Sequence, residues 1–189
     1  TCDVLVAKGH RVTVLDDLSS GYTQNLNSGV RLIEGSILEA GVLREAVTGQ
    51  DAIVHLAAFT SVPDSFQNHH ACFQTNVEGT LCVVEAAVKQ DVGRFVFASS
   101  SAVYSDTNTD VKRESDCPMP GSPYAVSKLE GEHLLALLGE RHGLTWVAFR
   151  YFNVFGPRQH ADSDYAAAVP IFADRALSGR TMTVYGDGT

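Results

Sequence analysis

Apolar positions along the chain follow two periods in turn, one of about two residues and one of about three and a half. Arg11 to Asp16 (Arg-Val-Thr-Val-Leu-Asp) alternates and is rich in β-branched residues, which predicts a strand ending at Asp16-Asp17. Val30 to Glu34, Ala52 to Ala58, Gly93 to Ser100, Leu144 to Arg150 and Met182 to Tyr185 read as further strands. Ala52 to Ala58 is almost wholly apolar, a pattern that predicts burial on both faces of a parallel sheet. Between the strands lie helical patterns: Cys2 to Lys8, closed by Gly9; Leu38 to Val47; Ala71 to Lys89; Pro123 to about Arg141; and about Tyr165 to Leu177. Leu18 to Gly29, Ser105 to Ser122 and Asn153 to Ser163 carry the polar, Gly and Pro content of loops, and Pro63 to Asn68 is expected to interrupt the pattern. Pro123 suits the first turn of the helix that follows it. Trp146 and Phe149 are expected to face the core, and Arg141-His142 to sit at a helix C-terminus where cations meet the dipole.

Strands alternating with helices predict a doubly wound α/β sheet. In that architecture ligands bind outside the carboxyl ends of the strands, and Asp16, Ala57-Ala58, Ser99 to Ser101 and Asn153 all follow strands. An acidic residue after the second strand of such a sheet suits a ribose hydroxyl pair, which makes Asp16, with Asp17 beside it, the first candidate contact.

Composition narrows the classes. Hydrophobic residues at 44% and charged residues at 19% of 189 are those of an ordinary globular chain, enough for one domain and the start of another. A formal charge of −8 without a basic cluster argues against a nucleic-acid or anionic-membrane surface. No apolar run approaches the ~18 residues of a membrane span. Cys2, Cys72, Cys82 and Cys117 lack metal-ligand or paired spacing and are expected to be free thiols of a reducing cytoplasm. His69-His70 has no supporting cluster and is expected on a helix surface, and His55 in the core; no metal site is expected. The chain begins inside a helix and ends at a turn, and is expected to be a fragment lacking the first strand and its glycine-rich loop.

Candidate chemistry centres on Tyr124-Ala-Val-Ser-Lys128. Four residues apart on a helix, the two side chains share a face, and an ammonium near a phenol favours the phenolate over its ordinary protonation near pH ~10. Ser99-Ser100-Ser101, at the end of the preceding strand, offers a hydroxyl for the same substrate oxygen.

Six segments stand in register: Asp16-Asp17-Leu-Ser-Ser-Gly21, His55-Leu-Ala-Ala58, Asn76-Val-Glu-Gly-Thr80, Ser99-Ser-Ser-Ala-Val-Tyr104, Pro123-Tyr-Ala-Val-Ser-Lys128 and Arg150-Tyr-Phe-Asn-Val-Phe-Gly-Pro-Arg-Gln159. Together they resemble the extended short-chain dehydrogenase/reductase family of nucleotide-sugar enzymes, and within it are most similar to UDP-glucose or UDP-N-acetylglucosamine 4-epimerases. The resemblance implies a Rossmann-like domain over 1–154 and the beginning of a substrate region over 155–189. It implies NAD as cofactor, near Asp16, Asp17, Ser36, Ile37, Leu56, Ala57, Ala58 and Asn76. Tyr124 is implied as catalytic base and Lys128 as its partner on the nicotinamide ribose. Ser100, with Ser101 beside it, is implied on the sugar's 4-oxygen, and Asn153 on the substrate's pyrophosphate. A UDP-sugar substrate and a homodimer through the two long helices are also implied. Gly35-Ser36-Ile37 departs from the family's usual Gly-Asp pair, which weakens the expected adenine contact. The acidic pair that family dehydratases carry after this Ser/Thr, and the Glu of the decarboxylases, are replaced by Ser101 and Ala102. Epimerisation is thereby favoured, with glucose, N-acetylhexosamine and glucuronate types and a 4-reductase all remaining open, as does a non-catalytic nucleotide-binding module.

Overall fold

β-Branched and aromatic runs form the strands where the alternation places them, and the long connections that separate them leave the strands parallel. The computed structural model describes residues 1–104, 111–159, 168–184 and 186. In chain order the elements are α1 (Cys2–Ala7), β1 (Val12–Asp16), β2 (Val30–Glu34), α2 (Ala40–Val47), β3 (Ala52–His55), α3 (Val62–Gln67), α4 (His69–Phe73), α5 (Gly79–Lys89), β4 (Arg94–Ser100), α6 (Pro123–Leu134), β5 (Thr145–Tyr151) and α7 (Ala168–Leu177). β1 pairs with β2, Asp16 opposite Glu34. β4 lies between β3 and β5, with His55 opposite Phe97 and Ser99 opposite Arg150. Every pairing is parallel: helices make the crossovers from β3 to β4 and from β4 to β5, while β1 reaches β2 through a loop that carries only the 3₁₀ turn Thr23–Asn25. The α/β, Rossmann-like expectation holds.

The chain divides into two compact units after β5, Thr1–Tyr151 and Phe152–Thr189. In the first, Phe95 and Phe97 on one face of β4 pack with Val83, Val84 and Ala87 of α5 and with Leu135. In the second, Arg175 of α7 donates to the Thr181 carbonyl at 3.1 Å, and Arg180 pairs with Asp174.

Several expectations are corrected. The strand read as Ala52 to Ala58 stops at His55, and Ala52 and Val54 are exposed on the face of β3 opposite that of Ile53 and His55. Pro63 does not break the pattern: it occupies the first turn of α3, where a missing N–H costs nothing, and Ser61 caps that helix by accepting from Asp64 N at 2.9 Å. The long helix begins at His69 and is interrupted by a π turn at Gln74–Glu78, and α6 ends in another at Leu135–Gly139. Phe149 is exposed beside Tyr151; standing three residues from Trp146, it falls on the opposite face of β5. Met182 to Val184 form no strand, and Tyr185 lies outside the described residues, as do 105–110 and 160–167 of the expected loops and last helix. Among the described residues the four cysteines are free, no cluster of His, Cys, Asp or Glu could hold a metal, and no helix is long and apolar enough to cross a membrane.

His55 is the core histidine expected. It is 4% exposed, its Nε2 lies 3.0 Å from Thr80 Oγ1, and it stacks on Phe97. Burial, with Lys128 adding repulsion, depresses its pKa from 6.5 to about 3. The unfolded chain therefore takes up a proton below pH 6.5 that the folded chain refuses, so this contribution to stability is complete above 6.5 and is lost as pH falls toward 3. The slope approaches ~1.4 kcal/mol per pH unit. Urea unfolding of the full-length protein at pH 7, 6 and 5 should show this loss, and His55→Gln should flatten it.

Candidate active site

α6 is set at its N-terminus by three serines. Ser122 caps it, its Oγ accepting from Ala125 N at 3.1 Å. Ser65 of α3, fully buried, accepts from Tyr124 N at 3.2 Å, and Ser127 donates to the Tyr124 carbonyl at 2.7 Å. The helix then crosses β4 at Gly131, where a Cβ would fall 2.8 Å from Phe97 Cε1; only glycine permits that approach. As a result Lys128 is 4% exposed, with Nζ donating to the Ala98 carbonyl at 2.9 Å, 5.2 Å from the Phe97 ring centroid and 5.9 Å from that of Tyr124.

Ser100 ends β4 and caps the 3₁₀ turn Ser101–Val103, accepting from Ala102 N at 3.1 Å. Its hydroxyl lies close enough to the Tyr124 phenol to pull that group's pKa downward. Ser100, Tyr124 and Lys128 are thus brought together as the spacing suggested. The electrostatics differ from expectation. Burial raises the phenol's pKa above 10.0, outweighing the lowering effect of the nearby Ser100 hydroxyl, and Cys72 adds to the rise. Lys128 is not the group that draws it down. Burial also pushes the lysine to about 8, against a smaller opposing pull from Cys72.

The other expected contacts divide. Asp16 accepts from Leu18 N at 2.8 Å through Oδ1, and Gly21 packs so near that a Cβ would stand 3.2 Å from that oxygen; Oδ2 has no partner among the described residues. Asp17 turns to its own loop, accepting from Ser19 N and Ser19 Oγ at 3.0 and 2.6 Å, which lowers its pKa. Ser36 Oγ accepts from Leu38 N, and Ile37 is buried in the core. Leu56 and Ala57 are exposed and Ala58 is half-buried where β3 ends. That loop is pinned from behind by Asn76, whose Oδ1 accepts from Phe59 N at 2.7 Å while Nδ2 donates to Phe59 O at 3.0 Å and Ser127 Oγ at 2.9 Å. Asn153 belongs to the second unit and is exposed on the loop after β5.

Ser65, Ser127, Glu132 and Arg150 were missed from the sequence. Glu132 had a signal, since it lies four residues beyond Lys128 and eight beyond Tyr124 on one helix face.

Residues 1–189 match the NAD dependent epimerase/dehydratase family. The chain belongs to that family. It is 36% identical over 189 residues to a dTDP-glucose 4,6-dehydratase of Streptomyces niveus, covering 96% of this chain and 55% of that one. Among solved structures, a UDP-N-acetylglucosamine 4-epimerase from Methanobrevibacter ruminantium M1, in complex with UDP-N-acetylmuramic acid, is 38% identical with a TM-score of 0.89, covering 94% of this chain and 58% of that one. A UDP-glucose 4-epimerase from Thermus thermophilus, in complex with NAD, is 34% identical with a TM-score of 0.88, covering 96% and 60%. The epimerase/dehydratase chain therefore spans somewhat over half the length of these relatives. The family's members include nucleotide-sugar 4-epimerases, dehydratases and decarboxylases.

Proposed function

We propose that the full-length protein is an NAD-dependent nucleotide-sugar 4-epimerase acting on a UDP-hexose, with Tyr124 as the acid/base at the sugar's C4 hydroxyl. The observation that carries this reading is the placing of the Ser100 hydroxyl beside the Tyr124 phenol, with Ser100 followed at once by Ser101 and Ala102, which hold no carboxylate. Removal of C5–H and loss of a C6 hydroxyl need an acid and a base beside that serine; transfer at C4 alone does not.

The residues fit a dinucleotide. Lys128 has three N–H groups and gives one to Ala98, leaving donors for a ribose hydroxyl pair. Asp16 keeps one carboxylate oxygen for another. Leu56 to Ala58 present small or exposed side chains on a loop that Asn76 holds rigid. NAD, when bound, supplies the hydride acceptor and donor for C4 and a positive ring charge that favours phenolate. Ser100 orients the C4 oxygen, and Tyr124 takes its proton as the 4-keto sugar forms and returns it when hydride is restored to the other face. Asn153 is assigned to the substrate's pyrophosphate.

The NAD-loaded full-length protein should interconvert a UDP-hexose and its 4-epimer with no net production of NADH, measured by proton NMR of the sugar anomeric signals. Accumulation of a 4-keto-6-deoxy sugar, or of carbon dioxide from a UDP-uronate, would overturn the reading.

A further inference from the structure

We propose that Glu132 is a positioning residue for the Ser100–Tyr124 pair, acting through Ser99 and Arg150; the proposal rests on the acid/base role given to Tyr124 above. Tyr124, Lys128 and Glu132 recur every fourth residue of α6 and look toward β4 from one face. The Glu132 carboxylate receives Arg150 Nε on Oε1 at 3.0 Å and Arg150 Nη2 on Oε2 at 2.8 Å, and Oε1 also accepts from Ser99 Oγ. Ser99 and Arg150 are direct partners in the β4–β5 pairing. The guanidinium in turn lies 4.8 Å from the centroid of the Tyr104 ring, just past the 3₁₀ turn that Ser100 caps. One carboxylate thus ties together the helix that carries Tyr124, the strand end that carries Ser100 and the neighbouring strand.

Stability does not account for the arrangement. The side chains of Arg150 and Glu132 are 17% and 13% exposed, and a nearly buried pair loses much of its attraction to desolvation, so apolar residues of similar size often serve the fold as well. Arg150 Nη1 is moreover buried without a hydrogen-bond partner, the one such side-chain atom among the described residues. What an apolar pair cannot supply is direction. The two-pronged guanidinium–carboxylate geometry fixes the angle between the partners, and the third bond, from Ser99, fixes β4 against α6 one residue before Ser100. Both oxygens of Glu132 are engaged from within the fold, so its action on the reaction passes through Ser99 and Arg150.

The test uses the NAD-loaded full-length protein. Glu132→Gln leaves Arg150 uncompensated and should lower both melting temperature and turnover. The paired variant Glu132→Leu/Arg150→Met should recover the melting temperature yet remain ~10²-fold down in kcat, with KM for the nucleotide sugar little changed, as expected for a small misplacement of catalytic groups. Recovery of kcat together with melting temperature would reduce the pair to a structural role and overturn the proposal. Ser99→Ala, which leaves the ion pair intact, should lower kcat ~3- to 10-fold with only the modest fall in melting temperature that loss of one hydrogen bond to a carboxylate brings; unaltered kcat would count equally against it. A readout independent of turnover comes from fluorotyrosine NMR, with the Tyr124 signal assigned by its loss in Tyr124→Phe. Ser100→Ala should shift that signal in the parent and leave it unmoved in the paired variant, where the contact is already broken. A parent that converts no UDP-hexose would sink the functional reading, while the fluorine signal would still decide the positioning role.

Discussion

Tyr124→Phe in the full-length protein is expected to lower epimerisation about 10²- to 10⁴-fold, the usual worth of a positioned acid/base, with KM for the nucleotide sugar within about threefold. The ring remains to fill its partly buried place at the start of α6, and Ser65, Ser122 and Ser127 hold the helix through backbone groups that the substitution leaves alone. Only the phenol hydroxyl beside Ser100 is removed, at a cost in stability of no more than about 1 kcal/mol. The separation of these two magnitudes makes the variant informative: a large fall in kcat with a nearly parental melting curve assigns proton transfer to the phenol. Turnover within tenfold of the parent would instead place the base elsewhere. The tyrosinate absorbance difference between parent and variant, followed with pH in the NAD-free protein, should show a phenol that titrates above its ordinary 10.0, because burial outweighs the pull of the nearby Ser100 hydroxyl.

That upward shift was not legible in the sequence, and the reason is general to the site. Spacing along one helix places Tyr124 and Lys128 on the same face, and an apolar strand ending in serines places Ser100 at a carboxyl end, so the trio could be found from local pattern alone. The depth at which the trio is buried depends on Gly131 letting α6 down onto Phe97, a contact between residues far apart in sequence. Glu132 carried the helical repeat, but its partners Ser99 and Arg150 meet only because β4 and β5 pair in that register. The strands were largely readable because β-branched residues alternate. Errors came where one local cue stood for two structures: Pro63 as breaker or first-turn residue, and the apolar run beyond His55 as strand or as exposed loop. Trp146 and Phe149 were given a common face although three residues separate them in a strand of period two.

Lys128→Met is expected to cost at least about 10² in turnover while raising the melting temperature of the NAD-free full-length protein by a few degrees. The stabilisation follows from linkage. Burial pulls the folded lysine from 10.5 to about 8, so between those values the unfolded chain holds a proton that the folded chain has released. Stability therefore rises with pH across that window, and below about 8 the whole burden of burying an ammonium is present. That burden is about 3 kcal/mol, and the hydrogen bond from Nζ to the Ala98 carbonyl, which methionine cannot make, returns about 1 kcal/mol of it. Methionine fills a similar volume beside Phe97 without the charge. Tyr124 and Cys82 have raised pKa values that act in the opposite direction above pH 9 to 10 but are common to parent and variant, whereas the Cys72 thiol, which the Lys128 ammonium pulls down, rises further in the variant and adds to the narrowing of the difference at high pH. The decisive quantity is thus the difference in melting temperature between the two proteins, which should be largest at pH 7 and shrink as pH approaches 10. A variant that melts lower than its parent at pH 7 would show that the fold compensates the ammonium fully. In the expected case the site keeps a charge that the fold alone would discard, which supports the ribose-binding role proposed for Lys128.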